Sequence, residues 1–387
     1  MATVSPFQGI LPKMKLAEAM INDLEFNSFP LIIKDFEHNL AQNRIEKDDA
    51  PSIYIYQSKL GLTTSTGVWA ITPFTELEDG TIRIHEKIEK DRSDLILAML
   101  RKSTLDFNPI LLVYVSPIGV QECIEEITSR EPHLQVENLQ KNFKISLWKV
   151  QDKKTIEELT SFLKKKYPIY LADGHHRADA FLNWLKENNL SSINYKADPS
   201  KKIPGFSSIY FSLDQIQIKP YHRFLLLNKP ANFLLVMEKI KYYFDIFPIQ
   251  EIHLPQTKGD FILACSNSKN YRIRFKKELL PEKVTVLERL DSIILEEFIF
   301  NRILELRSNK PLAKLGYLGG DHAEKTMEEK LKSGQAHMGF LLFPPSFEEI
   351  KEVANLGLFM PPKSTYFEPK IPSGFIIQNL QNLNLKT

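Results

Sequence analysis

The feature that most constrains the fold of this chain is a short apolar segment followed by a charged turn and then by an amphipathic stretch. Residues 169–172 (IYLA) are typical of a buried strand, and residues 173–177 read DGHHR. Residues 180–185 then place their large apolar side chains at helical spacing. The sequence therefore predicts a strand, a tight turn and a helix in direct succession.

The residue types at this turn favour phosphate chemistry. Unpaired N–H groups at a helix start bind anions, and Gly174 permits close approach of a ligand to the backbone. The side chains of His175, His176 and Arg177 could hold a phosphate and move a proton near neutral pH. Ordinary structural roles remain the alternative, with Asp173 as the cap of the helix and one histidine half-buried.

Composition sets broad limits on the partners of the chain. Of its 387 residues 43% are hydrophobic and 25% charged, as in ordinary globular proteins, and the net charge is +2. This balance argues against a nucleic-acid partner, and no apolar run approaches the roughly 20 residues of a membrane span. We expect a cytoplasmic protein without a membrane partner, and a homo-oligomer stays open. Cys123 and Cys265 fit neither a disulfide framework nor a zinc site.

The order of predicted elements indicates an α+β protein with mixed sheets and flanking helices. Strands are predicted at 51–56, 61–71, 109–115, 144–150, 206–213, 261–264, 271–275 and 339–343, and helices at 155–166, 230–247 and 291–307. Length favours more than one domain. We expect an α/β core at 1–225 with the HE and DGHHR motifs, and a C-terminal α+β lobe at 226–387 with the GGDH and MPPKSTYF motifs.

His85 and Glu86 form a second candidate for chemistry at a predicted strand end. Transfer of a phosphoryl group to or from a hydroxyl needs a carboxylate that handles the hydroxyl proton or holds a metal. Glu86 is the candidate base, and Arg92 follows shortly after it. A histidine–glutamate pair in an ordinary structural role is the alternative.

Two further groups could bind phosphate or nucleotide. His222 and Arg223 repeat the pairing of an imidazole with a guanidinium. Lys363, Ser364 and Thr365 supply an ammonium group and two hydroxyls in a proline-rich segment that cannot be regular helix. Surface roles for these side chains remain open.

Five ordered segments of the chain resemble a prokaryotic family known as domain-of-unknown-function family 1015. The similarity spans nearly the whole length. It rests on PSIYIYQ at 51–57, HEKIEKDR at 85–92, YLADGHHRADA at 170–180, YHRFL at 221–225 and MPPKSTYFEPKIPSG at 360–374. The family name itself implies no activity.

A more distant resemblance is to the ParB and sulfiredoxin superfamily, in which a turn between strand and helix holds a nucleotide phosphate. Free serine kinases of that superfamily carry a similar Asp-Gly-His-x-Arg turn. The resemblance implies a ParB/sulfiredoxin-like phosphate site in which residues 173–177 hold the phosphates. Asp173 would then hold Mg²⁺ or the substrate, and Glu86 would activate a small hydroxyl such as that of serine.

Together these observations predict a phosphotransferase of serine metabolism, with L-serine the leading acceptor and ATP or ADP the donor. Arg92 and Arg223 would neutralise charge in the transition state. Two alternatives stay open, namely hydrolysis of a phosphomonoester such as phosphoserine, and a regulatory protein that binds nucleotide without catalysis. The hypothesis assumes that the separate histidine and arginine motifs meet in space.

Overall fold

The computed structural model describes residues 4–22, 36–115, 119–164, 168–190, 204–228, 233–308 and 311–383. Contacts within the chain group it into two compact units. The first comprises residues 1–84, 88–217 and 369–387, and the second comprises residues 85–87 and 218–368. Each unit contains β-sheet with flanking helices, so the predicted α+β class is confirmed.

The first unit is built on a mixed sheet of eight strands. In spatial order these are Ile82–Arg83, Ile169–Asp173, Ile110–Tyr114, Gly205–Ser212, Thr63–Pro73, Ile53–Leu60, Phe143–Val150 and Leu134–Asn138. The first two strands pair in parallel, as do the third and fourth, and the other neighbours are antiparallel. Two small antiparallel sheets join Ile10–Pro12 to Ile45–Lys47 and Leu105–Asp106 to Gln378–Asn379.

Burial of the central strands explains where the helices of the first unit lie. Every residue of Gly205–Ser212 is buried, which requires cover on both faces of the sheet. Helix Lys90–Ser103 packs against helix His175–Glu187, and the second of these buries Phe181 and Trp184 in the core. The other α-helices are Met14–Asn22, Phe36–Ala41, Thr75–Glu78, Val120–Thr128 and Lys153–Leu163, with short 3₁₀ turns at Leu213–Gln215 and Leu380–Leu383.

The second unit is built on an antiparallel sheet of six strands. Their order is Phe244–Ile249, Asn270–Phe275, Asp260–Cys265, Met338–Leu341, His222–Leu227 and Ala313–Leu318. Its helices are Phe233–Tyr243, Asp291–Leu295, Ala323–Lys332 and Phe347–Asn355, with a π-helical turn at Glu296–Asn301 and a 3₁₀ turn at Lys277–Leu279. Two further strands, Gln217–Lys219 and Tyr366–Glu368, pair with each other.

Two of the predicted helices differ from the structure. The helix expected at 230–247 is observed at Phe233–Tyr243, and residues 229–232 lie outside the described part of the chain. Residues Phe244–Ile249 form a strand instead, because alternating apolar residues and Pro248 suit a sheet edge and not a helix. The helix expected at 291–307 is α-helical only over Asp291–Leu295 before the π-helical turn.

The grouping into units also differs from the expected division after residue 225. Residues 85–87 group with the second unit, where the N–H of Met360 donates to the carbonyl of His85 at 2.7 Å. Residues 369–387 group with the first unit, where Ile377 and Ile10 exchange backbone hydrogen bonds at 2.9 Å. Backbone hydrogen bonds to residues far away in the sequence therefore explain the unit to which each segment belongs.

Candidate functional site

The predicted strand, turn and helix around residues 173–177 are confirmed. Strand Ile169–Asp173 and helix His175–Glu187 meet at Gly174, which has φ 106° and ψ 23° and occupies the N-cap position. The interpretation of Asp173 as the helix cap is wrong, because Gly174 occupies the N-cap position. The first N–H groups of the helix therefore lie next to a residue without a side chain.

Arg177 is held firmly against this turn. Its Nη2 donates to Asp173 Oδ2 at 2.8 Å, and its Nη1 donates to the carbonyl of Pro109 at 2.5 Å. A Cβ atom on Gly174 would lie 3.0 Å from the Nε of Arg177, so the guanidinium packs directly on the glycine. A phosphate at this turn would have to compete for a guanidinium that already has partners.

Both oxygens of the Asp173 carboxylate face a cation. Oδ2 accepts from Arg177, and Oδ1 lies 3.6 Å from the Nζ of Lys370. Sequence reasoning did not place Lys370 at this turn. The pairing makes Asp173 part of a small charge network of the first unit.

The two adjacent histidines of the turn differ in environment. His175 is buried, with 4% of its surface exposed. The Nδ1 of His176 accepts a hydrogen bond from the N–H of Glu89 at 3.3 Å, and its Nε2 lies 4.0 Å from the Glu89 carboxylate. Because Nδ1 accepts, the ring carries its proton on Nε2 in this arrangement. Glu89, a residue that sequence reasoning missed, also pairs with Arg92 and so links Arg92 to the turn region.

Asp106 is a second residue of this region that sequence reasoning missed. The carboxylate of this half-buried residue accepts from the N–H of Ser207 at 2.9 Å. Burial raises the pKa of Asp106 to about 6, although the Ser207 hydrogen bond and the charge of Arg177 oppose the rise. Arg177 is therefore the cation that offsets two carboxylates.

In the second unit, the His85–Glu86 pair is held by the segment that contains Lys363. The Glu86 Oε1 accepts from the N–H of Lys363 at 3.2 Å, and Glu86 forms an isolated β-bridge with Met360. His85 is fully buried, and its Nε2 lies 3.2 Å from the Oγ1 of Thr365. The structure thus brings together two motifs that sequence reasoning treated separately.

The other polar groups of this segment bond within the protein. Ser364 Oγ donates to the carbonyl of Pro361 at 2.7 Å, and Ser364 and Thr365 are both buried. Lys363 has a left-handed backbone with φ 61°, and its Nζ lies 5.0 Å from the ring centroid of Tyr221. To bind a ligand, the two hydroxyls would have to give up these hydrogen bonds within the protein.

His222 and Arg223 are buried on a strand of the six-stranded sheet. The Nδ1 of His222 accepts from the N–H of Leu342 at 3.1 Å, and burial beside Arg223 lowers the pKa of His222 to about 4. Arg223 donates to the carbonyls of Tyr221 and Lys363 at 2.8 and 2.9 Å. Lys363 is therefore held at two backbone groups, because its carbonyl accepts from Arg223 and its N–H donates to Glu86.

The predicted site residues therefore fall into two sets. Asp173 to Arg177 and Arg92 lie in the first unit, whereas His85, Glu86, His222, Arg223 and residues 363–365 lie in the second. Over the described ranges, no group of three histidine, cysteine, aspartate or glutamate side chains is placed to hold a metal ion. Nor does any helix in those ranges have the length and apolar character needed to cross a bilayer.

A family model described as "Protein of unknown function (DUF1015)" matches residues 10–293. No curated protein matches the chain. Among solved structures, a conserved hypothetical protein from Pyrococcus furiosus is 14% identical at a TM-score of 0.39, over 82% of this chain and 97% of that one. A free serine kinase in complex with AMP is 13% identical at a TM-score of 0.37, over 80% and 92%. Likeness at this level carries no argument about function.

Proposed function

The chain belongs to the DUF1015 family, and we propose that it is a phosphotransferase that moves a phosphoryl group from a nucleotide to the hydroxyl of a small metabolite. We propose L-serine as the acceptor and ATP or ADP as the donor. The observation that carries the proposal is the turn at residues 173–177. Gly174 has a positive φ and precedes a helix of 13 residues, with the Asp173 carboxylate before it and two histidines after it.

The backbone at this turn suits an anion for physical reasons. The first N–H groups of a helix have no partner within the helix, and the helix dipole places partial positive charge there. Gly174 removes the side chain that would otherwise cover those groups. We propose that the phosphates of the nucleotide bind here, with His175, His176 and Arg177 around them.

Asp173 changes partners in this proposal. A phosphate that attracts Arg177 would weaken the Arg177–Asp173 ion pair and make the Asp173 carboxylate available to Mg²⁺. Mg²⁺ commonly binds through one or two carboxylates together with phosphate oxygens and water, so one aspartate suffices. When bound, Mg²⁺ would neutralise charge on the transferred group.

Glu86 is the proposed general base. Its carboxylate takes the proton of the acceptor hydroxyl while that oxygen forms a bond to phosphorus, and the bond from phosphorus to the bridging oxygen of the nucleotide breaks. The N–H of Lys363 orients Glu86 through Oε1, and His85 with Thr365 fixes the adjoining backbone. We retain Arg92, His222, Arg223, Lys363, Ser364 and Thr365 as proposed contacts to phosphate or nucleotide.

The experiment is ³¹P NMR of the purified protein with Mg²⁺ and L-serine plus ATP or ADP, beside a sample with phosphoserine alone. We expect a new phosphomonoester signal in the first sample. Glu86→Gln should remove the signal and leave nucleotide binding intact, because glutamine keeps the acceptor for the Lys363 N–H but is not a base. His175→Asn should weaken nucleotide binding.

Matched controls test charge and histidine content. Glu348→Gln removes an exposed carboxylate of the second unit, and His133→Asn removes an exposed histidine of the first, so both should retain full turnover. Inorganic phosphate from phosphoserine alone would show a hydrolase instead. Nucleotide binding without any phosphorus product from serine or other small alcohols would show a regulatory binding protein.

A further inference from the structure

A cavity of about 210 Å³ lies within the second unit and is lined in part by Arg223. A single water molecule needs about 10–15 Å³ of such space, so the cavity has room for a small organic molecule. One part of its wall is apolar and is formed by Phe300, Leu306, Leu315 and the adjoining prolines 361 and 362. The apolar part of a ligand could therefore contact this wall without displacing a hydrogen bond of the protein.

Arg223 supplies a buried positive charge to this wall. Only 4% of its surface is exposed, and its guanidinium donates to two carbonyls, those of Tyr221 and Lys363. The guanidinium carbon also lies 4.5 Å from the ring centroid of Tyr317. Within the described residues, no carboxylate comes within 4.0 Å of it. Buried guanidinium groups are normally paired with an anion.

The other charged side chains of the cavity are one carboxylate, Glu296, and one guanidinium, Arg307. Glu296 pairs with Arg307 at 2.5 Å, and the Arg307 side chain is 73% exposed. The charge of Glu296 also acts on Arg223 and favours its charged form, but the wall as a whole carries two cations, Arg223 and Arg307, and this one carboxylate. Burial lowers the pKa of Arg223 only to about 10, and the group is therefore charged at neutral pH.

We propose that this cavity binds a small organic anion, a carboxylate or a phosphomonoester on an apolar body, through the guanidinium of Arg223. Guanidinium is planar and offers paired donors that match both groups. Tyr317 and the apolar wall would contact the body of the ligand. The site is formed entirely by residues of the second unit, and its binding of an anion can be measured without nucleotide.

The test uses three fluorinated probes observed by ¹⁹F NMR without nucleotide or serine, namely 4-fluorobenzoate, 4-fluorophenyl phosphate and the neutral 4-fluorobenzamide. We expect at least one anion to bind and the amide not to bind. Arg223→Gln should weaken anion binding by about tenfold or more, the loss typical of a hydrogen bond to a charged group. Arg289→Gln removes an arginine of the same unit that is half-exposed, and it should leave binding unchanged.

A second variant keeps the test decisive if Arg223→Gln fails to fold. Leu315→Phe retains the arginine and fills the cavity, so it should also abolish anion binding. Binding of neither anion, equal binding of the amide, or unchanged binding in these variants would overturn the proposal. Anion binding that is lost in Gly174→Ala and kept in Arg223→Gln would assign the probe to the first unit instead. Because Arg223 is also a proposed contact to phosphate, anion binding is measured here without nucleotide or serine, and the ³¹P experiment with Glu86→Gln tests phosphoryl transfer separately.

Discussion

Arg177 and Arg223 each follow a histidine directly in the sequence, yet the two units neutralise them differently. Arg177 donates to the Asp173 carboxylate and offsets the charge of half-buried Asp106. Arg223 is more deeply buried but donates only to carbonyls. An anion must displace a carboxylate at the first arginine, whereas the hydrogen bonds of the second go to backbone carbonyls.

The comparison teaches how to separate structural from ligand-binding arginines. A guanidinium paired with a carboxylate has little electrostatic energy to gain from a ligand, because the ligand only replaces one anion with another. The turn in the first unit therefore depends on its backbone and helix dipole for phosphate binding. In the second unit, the side chain of Arg223 itself carries the attraction.

The largest expected effect is a lower rate of phosphoryl transfer in Glu86→Gln. This variant should impair proton transfer at Glu86 and leave nucleotide binding at the turn unchanged. Glu86→Gln should lower the rate of phosphoryl transfer by about 10²–10⁴-fold, the usual contribution of a general base. Nucleotide affinity should stay within about twofold, because the N–H of Lys363 keeps an acceptor. Steady-state kinetics of transfer to L-serine, with separate calorimetry of nucleotide binding, measures the two quantities. A parallel fall in both would mean that Glu86 contacts the nucleotide, and the distinction between the two regions would fail.

The next effect concerns one carboxyl group in each unit, Asp291 and Asp106, whose pKa is raised by burial. Burial raises the pKa of Asp291 to about 7, with Glu349 and Asp260 adding to the rise and Lys258 opposing it. Between pH about 4 and 7 this carboxyl is protonated in the native state and ionised in the unfolded chain. The native state then binds more protons, so the free energy of unfolding should fall by about 2–4 kcal/mol as pH rises through this window.

Urea unfolding of the wild type and Asp291→Asn across this pH range measures that effect. The variant should lose the contribution and be less sensitive to pH. Asp106→Asn is the matched variant of the first unit. The pH-dependent stability that Asp106 contributes, and that this variant should lack, should end near pH 6, because burial raises the pKa of Asp106 only to about 6. Identical profiles for wild type and Asp291→Asn would show that this carboxyl is ionised when native.

Gly174→Ala should have an intermediate effect in the first unit. Alanine is strained at φ 106°, and its Cβ would lie 3.0 Å from the Arg177 guanidinium. We expect a loss of about 1–3 kcal/mol in unfolding free energy and weaker binding of nucleotide at the turn. Calorimetry with ADP and chemical unfolding check the two expectations.

Gly80→Ala is the matched control for Gly174→Ala. Gly80 also has positive φ, 74°, but a Cβ there would contact nothing within 4 Å. It should show backbone strain without any change in nucleotide binding. If both variants lose equal stability and both bind ADP normally, the close approach of Arg177 to Gly174 has no role in the turn.

Local patterns in the sequence were sufficient to predict much of this architecture. The turn at residues 173–177 follows from an apolar strand, a glycine and helical spacing. The Ser-x-x-Glu spacing of Ser346 and Glu349 is typical of a capping box, and in the structure each side chain bonds to the backbone of the other. Both depend on residues that are close in sequence, where backbone geometry fixes which groups can meet.

Long-range partners were beyond such patterns. Nothing in the spacing indicates that Lys363 holds Glu86, that Glu89 holds His176, or that Lys370 lies beside Asp173. These contacts result from tertiary packing, and one sequence gives no signal for them. The same reason explains why residues 85–87 group with the second unit although they precede most of the first.

The smallest expected effect tests which cation neutralises Asp173. Lys370 lies 3.6 Å from Oδ1, and both side chains are partly exposed, so Lys370→Met should lower the unfolding free energy by no more than about 1 kcal/mol. Arg177→Met should be more destabilising, because it also leaves the Pro109 carbonyl without its donor and removes the charge that offsets Asp106. Chemical unfolding of both single variants and the double variant measures the coupling of the two cations through Asp173. A larger loss for Lys370→Met than for Arg177→Met would mean that Asp173 depends mainly on the lysine. Arg177 would then be available to an incoming phosphate, and the two arginines would resemble each other more than their hydrogen bonds indicate.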